Sequence, residues 1–215
     1  MEKIERILLH NKKSGDFIYP DGSRVFFTSD THFGHKNIIE WTRRPFDNVE
    51  EMNETLIENW NSVVGPDDVI YHLGDFAFGG SSLWKDVCSR LNGKKYLIIG
   101  NHDEKNLKDG FRVYFEDILW QAKLRIEGRS IYLNHFPFLC YGGTYRRPED
   151  AVWQFHGHTH EMQGENLGED YPRLQYRFPF QYDVGVDFND YKPISFTEIC
   201  EKIEKKIQES GYFSK

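Results

Sequence analysis

Cysteine is scarce: the chain has three in 215 residues, Cys88, Cys140 and Cys200, set far apart and with no CxxC pair. That argues against a disulfide framework and a thiolate zinc site, and it suits a reducing compartment. There is no excess of basic residues either. The 27 Lys and Arg stand against 34 Asp and Glu, a formal net charge of −7. Long duplex DNA and anionic membrane surfaces are held by broad positive fields, so neither is an expected partner. No apolar run approaches the roughly 18–20 residues of a membrane span. The opening stretch, MEKIERILLHNKKSGDF, carries charges throughout and has no apolar signal-peptide core. A cytoplasmic location is the expectation. Gly (18) and Pro (8) show no repeat, which excludes a fibrous chain, and 39% hydrophobic residues are too many for a disordered one. A single domain spanning 1–215 is expected.

The pattern that is present alternates short apolar strands with amphipathic helices. Residues 1–24 read as a short helix or irregular lead-in, with a turn at Tyr19-Pro20-Asp21-Gly22. Strands are expected at 24–29, 69–73, 96–99 and 151–156, and a hairpin around Glu127-Gly128. Val49, Met52, Leu56, Ile57, Trp60 and Val63 form one helical face, capped by Asp47 or Asn48 and stopped at Gly65-Pro66. Further helices are expected at 81–91 and from Phe196 onward, and a polar surface excursion at 161–180. The fold class is α/β.

Each of these strands runs into a cluster of Gly, Asp, Asn or His. In α/β sheets the ligand crevice lies at the C-terminal strand ends, where loops of neighbouring strands converge. The side chains gathered there are Asp30, His32, Asp75, Asn101, His102, His135, His158 and His160. Carboxylates, imidazoles and an amide oxygen suit borderline-hard divalent metals. Asp30 with His32, and His158 with His160, are two apart, a spacing that in extended chain places both side chains on one side. Leaving His102 aside, seven such groups exceed one four-coordinate zinc but fit two ions about 3.5–4 Å apart, bridged by one carboxylate. Asp75, directly after Gly74, is the candidate bridge.

The set Asp30-Thr31-His32, Gly74-Asp75, Gly100-Asn101-His102-Asp103, His135 and Gly157-His158-Thr159-His160 resembles, in order and spacing, the calcineurin-like metallophosphoesterases. The resemblance spans residues 25–160. The runs Ser29-Asp30-Thr31-His32-Phe33-Gly34-His35 and Val184-Gly185-Val186-Asp187 also resemble a small bacterial and phage branch of predicted phosphoesterases. The family resemblance implies a four-layer fold, a central β-sandwich flanked by helices. It implies two divalent ions, manganese first, with iron, zinc, nickel or magnesium as alternatives. Asp30, His32, Asp75 and His160 would hold one ion, and Asp75, Asn101, His135 and His158 the other. His102 would protonate the leaving oxygen, with Asp103 orienting it and favouring its charged form. A metal-bridging hydroxide would attack phosphorus.

The chain departs from the Ser/Thr protein phosphatase branch. Gly74-Asp75 is followed by Phe76-Ala77-Phe78-Gly79-Gly80 and lacks that branch's second Asp with Arg-Gly, and the double-histidine ending is foreign to it. Phosphodiester hydrolysis on a nucleotide or nucleic-acid end is therefore expected. The alternatives are a phosphomonoesterase on small phosphorylated metabolites, a redox-active two-metal site and a metal-free binding scaffold. His35, the arginine pairs Arg43-Arg44 and Arg146-Arg147, and Tyr141 ahead of Gly142-Gly143 are candidates for contacts to substrate. The Tyr171–Tyr182 stretch reads as a half-buried hairpin, and His72 and His156 as buried structural histidines.

Overall fold

The computed structural model describes residues 17–107, 109–144, 147, 150–160 and 177–211. The expected features within 1–16 and 161–176, and Arg146, lie outside these. Two five-stranded sheets face each other. Naming strands in chain order, β2 (Val25–Thr28), β3 (Val69–His72), β4 (Lys94–Ile98) and β5 (Asp117–Leu119) run parallel, and β10 (Ile194–Ser195) adds antiparallel to β2. The other sheet has the order β1 (Phe17–Tyr19), β6 (Gln121–Ile126), β7 (Arg129–Asn134), β8 (Trp153–His156) and β9 (Gln181–Asp183). Within it only the β6–β7 hairpin is antiparallel. Glu127 (φ 50°) and Gly128 (φ 82°) make its turn, two successive positive φ values as a tight hairpin requires.

The alternation in β6 explains the sandwich. Ala122, Leu124 and Ile126 are buried and Gln121, Lys123 and Arg125 exposed. The inward set meets Ile131, Leu133, Trp153 and Phe155 of its own sheet and Val25, Phe27, Tyr71 and Ile98 of the parallel one. The opposite face of the parallel sheet packs against helices α1 (Lys36–Trp41), α2 (Val49–Val63) and α3 (Ser81–Arg90). A short α4 (Asp103–Asn106) follows β4. Met52, Leu56, Ile57 and Trp60 bury the expected face of α2, each stabilising by about 1.5–3 kcal/mol. Asn48, rather than Asp47, caps this helix, its Oδ1 accepting the Glu51 N–H at 2.8 Å. The C-terminal α5 (Phe196–Ser210) starts in a capping box of Ser195 and Glu198 and inserts Phe196, Ile199 and Ile203 into the inter-sheet core.

This is the expected α/β sandwich flanked by helices. One local expectation fails. Residues 17–19 are neither helical nor irregular but an edge strand, because Phe17 and Tyr19 find Tyr71 and Tyr96 to pack on while Ile18 faces out. His72 is structural as read: its Nε2 meets Thr31 Oγ1 at 2.9 Å and its Nδ1 accepts the Gly74 N–H at 3.2 Å.

Candidate metal centre

The C-terminal ends of β2, β3, β4, β7 and β8 meet at one edge of the sandwich. The loops there are stitched by backbone bonds: Asp30 N–H to Gly74 O, His32 N–H to Asp75 O, and Gly157 N–H to His135 O, at 2.9–3.0 Å. Asp30, His32, Asp75, His158 and His160 all have φ between 43° and 70°. Non-glycine residues avoid that region, and the strain is held only where the surroundings over-determine it. Gly74 must be glycine: its φ is 97°, and a Cβ would lie 2.6 Å from His135 Nδ1.

Two groups of donor atoms result, Asp30 with His32 and His160, and Asp75 with His135 and His158, each with its atoms within 4.8 Å of one another. Asp75 Oδ2 lies between them, 3.6 Å from His32 Nε2 and 3.5 Å from His135 Nε2. Asn101 Oδ1 is 3.0 Å from His135 Nε2. Asp30 is divided in role: Oδ2 accepts the His158 N–H at 2.9 Å, while buried Oδ1 has no hydrogen-bond partner. His32 Nε2 is likewise buried without one.

A cation resolves what these contacts leave unsatisfied. The His135 Nδ1–H donates to Leu73 O at 2.7 Å, since a carbonyl only accepts. Its Nε2 faces Asn101 Oδ1 and Asp75 Oδ2 on the other side of the ring. Such a convergence of ligand atoms, like the orphaned Asp30 Oδ1 and His32 Nε2, fits divalent cations. Burial, partly opposed by His135 and reinforced by Asp30 and Asp103, pushes Asp75 up to about 7. Burial, then His135, takes His158 down to about 4, and burial with His160 and Arg44 holds His32 well below the usual histidine value. The imidazoles of His32 and His158 are thus neutral near pH 7, the form that ligates.

Residues 23–187 match the family described as calcineurin-like phosphoesterase. The chain belongs to that family. It is 37% identical over 184 residues to an uncharacterized protein of Methanocaldococcus jannaschii, covering 85% of this chain and 92% of that one. It is 31% identical over 212 residues to the gene 66 protein of Mycobacterium phage D29, covering 86% of this chain and all of the phage protein. A crystal structure of a protein of unknown function from Aquifex aeolicus superposes with a TM-score of 0.62 at 30% identity, covering 82% of this chain and 97% of that one.

Within this calcineurin-like phosphoesterase, all seven expected ligand residues gather at the edge, and His102 stands beside them. Its half-exposed ring places Nε2 3.9 Å from Asp75 Oδ2. His35 is there too, its Nδ1 3.1 Å from His32 Nδ1 and its ring stacked on Phe78 at 3.9 Å. Four expectations are corrected. Asp103 does not orient His102. It is fully buried, and its carboxylate accepts the backbone N–H groups of Asp75, Phe76 and Gly100 at 2.8–2.9 Å. Nor is His102 biased to its charged form, because burial and then His135 and His160 lower its pKa. Arg44 does not face substrate: its guanidinium is buried and tied to Asp187, Asp30 O and Thr31 O. Tyr141 packs instead against Tyr132, Phe138 and Phe178. Arg43 is exposed beyond the end of α1, and Arg147 pairs on the surface with Asp150.

The residue that sequence reasoning left without a role is Asp187, in a 3-10 turn (Val186–Phe188) after β9. Its Oδ2 accepts the His160 Nδ1–H at 2.8 Å. The signal was available: Asp187 follows a strand as Asp30 and Asp75 do, but β9 is three residues long and its run is not apolar.

Proposed function

We propose that this chain is a phosphodiesterase that hydrolyses an ester of a nucleotide or nucleic-acid end with two divalent ions, manganese first, in the cytoplasm. The observation that carries the reading is Asp75 Oδ2, set between His32 Nε2 and His135 Nε2 at nearly equal distances where a bridging ligand would sit. Asp30, His32, Asp75 and His160 would hold one ion, and Asp75, Asn101, His135 and His158 the other. Bound divalent cations supply a water acidified for attack and neutralise charge on the phosphoryl oxygens.

The chain's own residues do the rest. His102 stands half-exposed beside the bridge, within reach of a leaving oxygen, and is the general acid. Burial and the neighbouring His135 and His160 lower its pKa, and the phosphate anion of a bound ester opposes that shift. The base-binding preference is supported by two exposed rings at the rim. Phe136 lies edge-on to His158 at 4.6 Å, and Trp41 edge-on to His35 at 5.3 Å. On an acidic protein, stacking supplies affinity that phosphate contacts do not, about 1–3 kcal/mol per base.

The test is turnover of bis-p-nitrophenyl phosphate against p-nitrophenyl phosphate in manganese, with Asp75→Asn as control. Preference for the diester, abolished in the variant, is expected. Preference for the monoester overturns the diesterase reading, and cleavage of neither by the metal-loaded chain overturns the catalytic one.

A further inference from the structure

Arg44 and Asp187 form a buried ion pair, with side chains 0% and 5% exposed; the other Arg–carboxylate pairs among the described residues are more exposed. Such a pair costs desolvation and contributes little net stability compared with apolar packing, so its place asks for another reason. The geometry supplies one. The guanidinium grips both Asp187 oxygens, Nε to Oδ1 and Nη2 to Oδ2, at 2.8 Å each. Its other hydrogens reach the backbone of the ligand loop, Nη2 to Asp30 O at 2.6 Å and Nη1 to Thr31 O at 2.9 Å. Asp187 Oδ2 in turn receives the His160 Nδ1–H. This orients the His160 ring and sets its Nε2 3.7 Å from the orphaned Asp30 Oδ1. Asp30 and His160 both sit at positive φ, so neither loop holds this arrangement alone.

We infer that Arg44 and Asp187 are positioning residues for the Asp30–His32–His160 half of the centre: one fork joins the backbone of the first ligand loop to the carboxylate that aims the last histidine. The inference rests on the reading that the two groups hold cations. It also gives the segment after β9 a function. Gly185 pairs with Ser29, and Val186 N–H bonds Ser29 O at 3.1 Å, so docking of that segment completes one half of the centre. The Asp75–His135–His158 half contains neither partner.

Titration of metal-free full-length chain with manganese alone, followed by calorimetry, tests this without turnover. Wild type takes two ions. Asp187→Ala weakens one by about 10–100-fold and leaves the other within about twofold, the size seen when a ligand's hydrogen-bond partner is lost. Asp187→Asn keeps an accepting oxygen and the shape, and it gives a smaller loss at the same ion should the alanine variant not fold. Arg44→Met separates positioning from charge. Removing a nearby positive charge would by itself tighten cation binding, whereas lost positioning weakens it. Tighter binding in Arg44→Met, unchanged affinities in the Asp187 variants, or equal weakening of both ions overturns the positioning role while the two-ion reading stands. A wild-type chain that takes up no manganese overturns that reading, and the inference with it.

Discussion

The carboxylate of Asp103 holds the backbone of Asp75: Oδ2 accepts the Asp75 N–H at 2.8 Å and the Gly100 N–H at 2.9 Å, while Oδ1 takes that of Phe76. One side chain thus clamps the loop after β3 to the loop after β4, and the bridging candidate Asp75 is presented from between them. Burial pushes the Asp103 carboxyl up, and the three N–H groups oppose it.

Asp103→Ala leaves those buried N–H groups unpaired, each costing about 1–3 kcal/mol. The expected loss is several kcal/mol of unfolding free energy in urea denaturation, with metal uptake falling in parallel. A stable variant with normal uptake would show that the clamp is dispensable.

His102 and Asp75 separate chemistry from ion holding. His102→Ala is expected to keep both ions while diester turnover drops about 10²–10⁴-fold, the usual worth of a positioned general acid. Asp75→Asn is expected to lose ions and turnover together. Near-wild-type rates in His102→Ala on a substrate with a poor leaving group contradict the assignment.

Phe136 is exposed at the rim and rests edge-on against His135 and His158. Its replacement by alanine is expected to raise KM for a nucleotide diester about tenfold and to leave a glycerophosphodiester unaffected. Equal effects on both substrates would assign the ring to packing of the histidines.

His72 gives the pH dependence. Burial, partly offset by Asp30, lowers its pKa to about 3 from 6.5, so the folded chain excludes a proton that the unfolded chain binds. Its contribution to stability is complete above pH 6.5 and is lost as pH falls from 6.5 toward 3, at up to about 1.4 kcal/mol per pH unit. In His72→Gln the slope of unfolding free energy between pH 6 and 4 is expected to be shallower by that amount. An unchanged slope would mean that His72 titrates normally.

Much of the centre is legible in the sequence because each ligand follows a strand, and strand ends are marked by apolar runs stopping at Gly, Asp, Asn or His. Asp30, Asp75, Asn101, His135 and His158 are placed by local pattern alone. What the pattern misreads are long-range partners. Arg44 looks like a substrate contact until Asp187, 143 residues away, is seen to neutralise it. Asp103 looks like a partner for its neighbour His102, but in α4 it turns inward to the backbone of the adjoining loop. Phe17–Tyr19 is too short for periodicity to reveal, and becomes a strand only because β6 offers an edge.

The central claim is a pair of ions bridged by Asp75, and anomalous diffraction from manganese-soaked crystals tests it most directly. The account predicts two peaks about 3.5–4 Å apart, one against Asp30, His32 and His160, the other against Asn101, His135 and His158, with Asp75 Oδ2 between them. A single peak, or none at full manganese, would contradict it.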